Sequence, residues 1–379
     1  MDAIFTSGIF MSFFIVFLLF TKKNKALTDR ILAAWVAIMG IHLLGYYLYH
    51  LGFWELYPHL IGVTAPFPLL HGPMLYLYTL YSLRNDSKIR RIDYLHFAPV
   101  AIAYLYMAKF FFFYTIEQKR MVDRGEIDDF GLFSSILLIG FVVSGLSYSI
   151  LAYRLTWKHK RQIDDNFSYD EGINLDWLRY CIWAIGIIFL TVTIILVTRE
   201  LFEVPYSFNA DYIFYTLIIV FIFYIGYFGI RHQDMFTHNV KDLKSSPPLP
   251  DEKYKKSGLN EALLEEGHQK LLDFMHAEKP FLDPKLTLSG LASALNMSPN
   301  QLSQIINQQE QMNFHDFVNR YRVDEFIHRA SQNNRFSILA HALDSGFNSK
   351  SSFNSIFKKH KDRTPSQYIA QLGAEKPTL

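Results

Sequence analysis

The stretch from Asp344 to Ile369 reads DSGFNSKSSFNSIFKKHKDRTPSQYI. Helical spacing over SKSSFNSIFKKHK places Ser349 at the cap and Phe353, Ile356 and Phe357 on an inner face. The helix start, with its Ser and Lys residues, then looks outward. Hydroxyl, amide and ammonium groups beside the unsatisfied N–H groups of a helix start suit phosphate oxygens and base edges. The run Lys358, Lys359, Lys361 and Arg363 can neutralise phosphates. A basic helix end also complements its own macrodipole, which accounts for some of these lysines but not for a second unit of the same design upstream. This is binding chemistry. For bond-making chemistry the chain has no HExxH, no GxSxG, no Walker-type phosphate loop and no GxGxxG after a strand. No cofactor is implied, and the chain reads as a non-enzyme.

His42 and His71 form the other constellation, deep in two apolar runs at similar estimated depth. An ionisable residue within an apolar span is by default a functional hypothesis. One reading is a metal or ligand site built on the two rings. The favoured one is a pair of neutral imidazoles hydrogen-bonded to neighbouring helices, because no third ligand at matching depth is evident. The single Cys181 excludes an intramolecular disulfide framework and a cysteine-rich metal site.

The elements that carry these groups fall into two classes. The chain has 379 residues, half of them hydrophobic, with 16% aromatic and a net charge of +2, so overall charge says little about partners. Before Arg231 the apolar residues gather into seven runs, at about 3–20, 29–50, 59–82, 92–114, 131–153, 178–200 and 211–230. About 20 helical residues cross a hydrocarbon core of roughly 30 Å, and the runs neither alternate nor stay short enough for strands. Pro66, Pro68 and Pro73 make the third run a kinked span. No cleavable signal peptide is evident, since the first residues lack a basic region. Basic residues concentrate in alternate loops: Lys22, Lys23, Lys25 and Arg30; Arg84, Lys88, Arg90 and Arg91; Arg154, Lys158, Lys160 and Arg161. The positive-inside rule places these loops in the cytoplasm, the N-terminus outside and everything after the seventh run inside. Aromatic clusters such as YYLYH and FFFFY at run ends suit the membrane interfaces.

After the last run, SSPPLP breaks any helix and marks a Pro/Ser/Lys linker over 236–259. Residues 260–372 read as all-helical, with a short tail over 373–379. Ser298, Pro299 and Gln301 form a helix-start signature, with a capping box and proline in the first turn. In the helix that follows, Leu302, Ile305 and Ile306 face inward, while Asn300, Ser303, Gln304 and Asn307 face out. A short helix, a tight turn and a second helix exposing polar side chains make a helix-turn-helix. The arrangement recurs after the long amphipathic helix NFHDFVNRYRVDEFIHRAS.

The motifs LTLSGLASALNMSPNQLSQIIN, NFHDFVNRYRVDEF and SILAHALDSGFNSKSSFNSIFKKHKDRTPSQYI resemble the DNA-binding domain of the AraC/XylS family of bacterial transcription regulators. The specific positions are Gly346-Phe347, Phe353, Phe357-Lys358 and Thr364-Pro365-Ser366-Gln367-Tyr368. The resemblance implies two recognition helices entering successive major-groove segments of double-stranded DNA. Base contacts would fall on Asn300, Ser303 and Gln304 in the first unit, and on Lys350, Ser351, Asn354 and Ser355 in the second. Two departures stand out: His341 occupies a usually aliphatic core position, and HKDRTP lacks the glycine often found before Thr-Pro.

The expected architecture is all-α: a seven-helix transmembrane bundle over 1–235, then a cytoplasmic helical domain with two helix-turn-helix units. The expected partners are DNA, the lipid bilayer of a bacterial cytoplasmic membrane, a signal ligand of unknown identity and, as a candidate, a second copy of the chain. A transporter or channel with a regulatory domain would need polar stripes along several spans, and none repeats. A metal-dependent enzyme built on His42 and His71 has no positive support.

Overall fold

In the computed structural model the described residues are 2–84, 88–169, 176–202, 211–231, 261–332 and 336–374, and among them no β-strand forms. The linker expected over 236–259 lies outside them, as does most of the expected tail. The chain divides into two units. One comprises Met1–Trp157 and Leu175–His238, the other Lys158–Asn174 and Asn239–Leu379.

The first unit contains α1 (Asp2–Thr21), α2 (Leu27–His50), a short α3 (Phe53–Leu56), α4 (Pro68–Leu83), α5 (Ala98–Phe113) and α6 (Ile116–Asp123). It continues with most of α7 (Gly131–Asn166), then α8 (Asp176–Leu201) and α9 (Asp211–Arg231). Each of the seven apolar runs therefore contains an α-helix, the third only over its second part. Five are long and apolar enough to cross a membrane: α1, α2, Arg91–Phe113, α7 and α8. The apolar part of α9, Tyr212–Phe228, is shorter. The third run differs from the expected 59–82 helix. A 3₁₀ turn over Pro58–Leu60 and further turns precede α4, which starts at Pro68 and is 16 residues long. The reason is local: proline fits a first turn but interrupts the hydrogen-bond ladder within a helix. Pro73 is held inside α4 nonetheless.

α2 packs against α1, α4 and α9, and α8 packs against α9. The shared core includes Trp35, Met39, Leu43, Leu75, Tyr78, Phe189 and Ile222. Outward-facing Leu105, Phe112, Phe113 and Leu132 are at least three-quarters exposed. A surface this apolar suits hydrocarbon better than water.

The second unit contains α10 (Glu261–Ala277), α11 (Leu288–Ala294), α12 (Pro299–Gln309), α13 (Phe314–Gln332), α14 (Ile338–Asp344), α15 (Lys350–Lys361) and α16 (Pro365–Ala374). Two cores flank α13. Leu271, Met275, Leu291, Leu302, Ile305 and Phe317 fill one; Val323, Phe326, Phe347, Phe353 and Phe357 fill the other. α13 is the hub, touching α12, α14, α15, α16 and the turn at Pro280–Leu282.

α14 ends in a left-handed glycine. Gly346 has φ +91°, its N–H donates to the Leu343 carbonyl, and the Phe347 N–H reaches back to Ala342. This pairing satisfies two carbonyls that a helix end otherwise leaves orphaned. A Cβ at Gly346 would also come within 3.0 Å of the Arg322 Nε and closer still to the Phe281 carbonyl. Gly346→Ala is therefore expected to destabilise the second unit by about 2 kcal/mol or more, since it combines φ strain with a backbone collision. Hydrogen–deuterium exchange of the full chain should show loss of protection across α14 and α15; unchanged protection would contradict this account.

Candidate nucleic-acid interface

The second short–long helix pair presents the expected face. The Ser349 side chain caps α15 by accepting from the Ser352 N–H at 3.2 Å. Phe353, Ile356 and Phe357 are buried, and Phe326 lies 4.6 Å from Phe353, ring centre to ring centre. With that side pinned, Lys350, Ser351, Asn354 and Ser355 all emerge on the opposite, exposed side. His341 is buried in the position noted from sequence, with Phe336 edge-on to its ring at 5.9 Å. The glycine missing from HKDRTP is replaced functionally by Asp362, which takes φ +53° at the end of α15. Aspartate tolerates this left-handed conformation better than most residues. Thr364 and Gln367 then start α16 with a reciprocal cap at 3.1 and 3.3 Å.

The first pair is less open. Ser298 and Gln301 form the capping box, and Asn300 is exposed. Ser303 and Gln304, expected to face out, are instead buried at 8% and 5% exposure. The physical reason is the number of neighbours: α12 packs against α10, α11 and α13, so it buries a wider arc than Leu302, Ile305 and Ile306 alone define. Both side chains lie along the helix. Asn307 donates to the Ser303 hydroxyl and Gln304 to the side-chain Oε1 of Gln308, each at 3.3 Å.

The four basic residues after α15's inner face separate in role. Lys358 is exposed. Lys359 is clamped to both oxygens of Asp316 at 2.6 and 2.8 Å. Lys361 reaches Asp324 at 3.1 Å, and Arg363 bonds the Gln371 side chain. Hydrogen bonds from His315 and Lys359 hold the Asp316 carboxyl well below the usual carboxylate range. At Glu310, burial acts to raise the pKa, but hydrogen bonds from His268 and Arg320 outweigh it and the net shift is downward.

One buried network was not legible beforehand. Arg322 on α13 is 1% exposed, yet all of its N–H groups are satisfied. Nε donates to the Phe281 carbonyl at 2.8 Å. One terminal nitrogen donates to the Ser168 carbonyl at 2.8 Å and to Asn319 Oδ1 at 3.1 Å. The other donates to the Ser168 hydroxyl at 2.9 Å and the Asp283 carbonyl at 2.7 Å. Burial lowers the Arg322 pKa to about 10, so it remains charged at neutral pH. The available signal was the placement of Asn319 and Arg322, three residues apart on the helix face that also carries core residue Phe326.

In the first unit, His42 and His71 do come together. The Trp35 Nε1–H donates to His71 Nδ1 at 3.4 Å, His71 Nε2 lies 3.4 Å from His42 Nδ1, and Tyr215 Oη lies 3.3 Å from His42 Nε2. Since an indole only donates, neutral rings must pass the bond in one direction, from Trp35 to His71 to His42 to Tyr215. The chain ties α2, α4 and α9 together. Among the described residues no group of three His, Cys, Asp or Glu side chains is placed to hold a metal ion.

Residues 291–371 match a family model described as a helix-turn-helix domain, of the AraC type. The match runs from within α11 through α12, the α13 hub, α14 and α15 into α16, and it points to DNA-binding transcription regulation. No curated protein and no solved structure matches the chain.

The carboxylate network generates a pH prediction. A group whose folded pKa lies below its unfolded value of about 4 adds stability above that value and loses it as pH falls through the folded pKa. Protection of α13 against hydrogen exchange should therefore decline as pH drops below about 4. Asp316→Asn should shallow that decline, and an identical pH profile for the variant would contradict the assignment.

Proposed function

We propose that the chain is a membrane-embedded, one-component transcription regulator. Its apolar helices form a sensor of seven spans, and its C-terminal helical unit binds specific DNA in the cytoplasm through two helix-turn-helix units. The observation that carries this reading is the exposed row Lys350, Ser351, Asn354 and Ser355 on α15, inside the residues that match the helix-turn-helix family. A helix braced by an aromatic core on one side and lined with short polar donors and acceptors on the other suits the major groove. Lys358, together with Lys359, Lys361 and Arg363 once these release their present partners, supplies phosphate contacts. Asn300 is the first-unit reader already exposed; Ser303 and Gln304 join it only after α12 is uncovered.

Basic loops around Lys22–Arg30, Arg84–Arg91 and Arg154–Arg161 support an N-terminus outside and a cytoplasmic C-terminus. Span seven, α9, leads directly into the segment before the DNA-binding unit. A paired state of two copies would raise the effective concentration of readers at a two-site operator without new contacts.

Replacing Asn354 by Ala should cost about 1–3 kcal/mol at the specific site and relax preference at one base position. Lys358→Ala should weaken binding to all sequences alike and reduce the salt slope by about one unit. Titration of full-length protein against its selected site and a random duplex distinguishes the two; equal losses on both duplexes for both variants would overturn the assignment. A reporter active only in the cytoplasm should work when fused after Arg91 or Arg231 and fail near Glu126. Activity at Glu126 would overturn the proposed topology.

A further inference from the structure

The chain between α7 and α8 carries an unexpected feature. α7 is far longer than its apolar run, continuing unbroken from Gly131 to Asn166. Its polar end and the residues after it, Lys158–Asn174, belong to the same compact unit as the DNA-binding helices. His159, Ile163 and Phe167 recur at four-residue spacing and are all buried. Phe167 forms an antiparallel bridge with Thr287, the cap of α11. The Ser168 N–H and hydroxyl both donate to the Leu286 carbonyl, at 3.2 and 2.7 Å. The Ser168 carbonyl in turn accepts from Arg322 and from Asn319, and its hydroxyl accepts from Arg322. Ser168 is 1% exposed, and so is the guanidinium-bearing Arg322 that it completes.

We propose that residues 158–169 are an intramolecular strap whose docking on α11 and α13 restrains DNA binding, and whose release is the step controlled by the apolar helices. This rests on the DNA-binding reading above. Two observations favour restraint over mere support. In the docked conformation Lys359 is held by both oxygens of Asp316. The strap then places a further acid, Asp164, in the field of this same pair. Burial pushes the Asp164 carboxyl up, His315, Lys160 and Lys359 oppose the shift, and Asp316 adds to it. A DNA phosphate approaching Lys359 would meet two carboxylates there.

Water can replace Ser168 at the Arg322 and Asn319 donors once they are uncovered, so the exchanged hydrogen bonds nearly cancel and what holds the strap docked is chiefly the burial of Ile163 and Phe167. Because α7 is one continuous helix into the strap, a rearrangement of α7 acts on the docked segment directly.

The bridge geometry offers a reversible lock. The Ser168-to-Leu286 bond makes Phe167 and Thr287 a non-hydrogen-bonded antiparallel pair, the close-spaced kind that accepts a disulfide. In full-length protein in nanodiscs, with Cys181→Ala as background, the double substitution Phe167→Cys and Thr287→Cys should cross-link readily on mild oxidation. The oxidised form should bind a random-sequence duplex at low ionic strength at least about tenfold more weakly than the reduced form, and reductant should restore binding. Failure to cross-link would show that the strap is not docked and would overturn the proposal. Cross-linking with equal or tighter DNA binding would overturn the restraint alone. Cross-linking with no DNA binding by either form would overturn the DNA-binding reading and the proposal with it.

Discussion

A charged guanidinium buried in a small helical unit constrains everything packed around it. Arg322 carries five N–H groups, and leaving any of them unpaired away from water costs more than the bond itself contributes. The unit solves this by turning backbone carbonyls inward from several places at once: Phe281 and Asp283 in the turn before α11, and Ser168 from the strap. Asn319, one turn earlier on α13, fills the remaining position and itself donates to Ser168. The same spot admits no side chain at Gly346, so the end of α14 is fixed against it. Thus the residue that orients α13 also sets where α15 begins. Replacing such a residue by an apolar one would leave carbonyls turned inward without donors.

The two units follow opposite solvent rules. In the second, side chains bury apolar faces and leave amides, hydroxyls and ammonium groups outside, as water demands. In the first, large aromatic and aliphatic groups point outward while the polar chain Trp35–His71–His42–Tyr215 is kept inside. A polar group facing hydrocarbon has no water to pair with, so helices carrying histidine turn it toward each other. That arrangement holds α2, α4 and α9 in register without any metal ion being required by its geometry.

Periodicity made much of this legible. Apolar runs located seven of the nine helices described in the first unit, missing the short α3 and α6, and cap residues such as Ser298 and Ser349 located the starts of α12 and α15. The facing of α15 followed from Phe353, Ile356 and Phe357, because one side of that helix packs and the other does not. The same argument misjudged Ser303 and Gln304, since spacing along one helix cannot register how many other helices will surround it. Prolines announced an interruption near α4 but not that the helix would wait until Pro68. The strap was invisible for a different reason. Its partners Ser168 and Arg322 are more than 150 residues apart, and the end of α7 is too polar to register as part of an apolar run.

Mapping the DNA cross-linked to the full-length chain in cells, after isolating the chain with the membrane fraction, tests the central claim most directly. The account predicts a small number of discrete intervals sharing two short sequence boxes about one helical turn apart, one for each reading helix. Uniform recovery of genomic DNA, or none above a membrane-protein control, would contradict it.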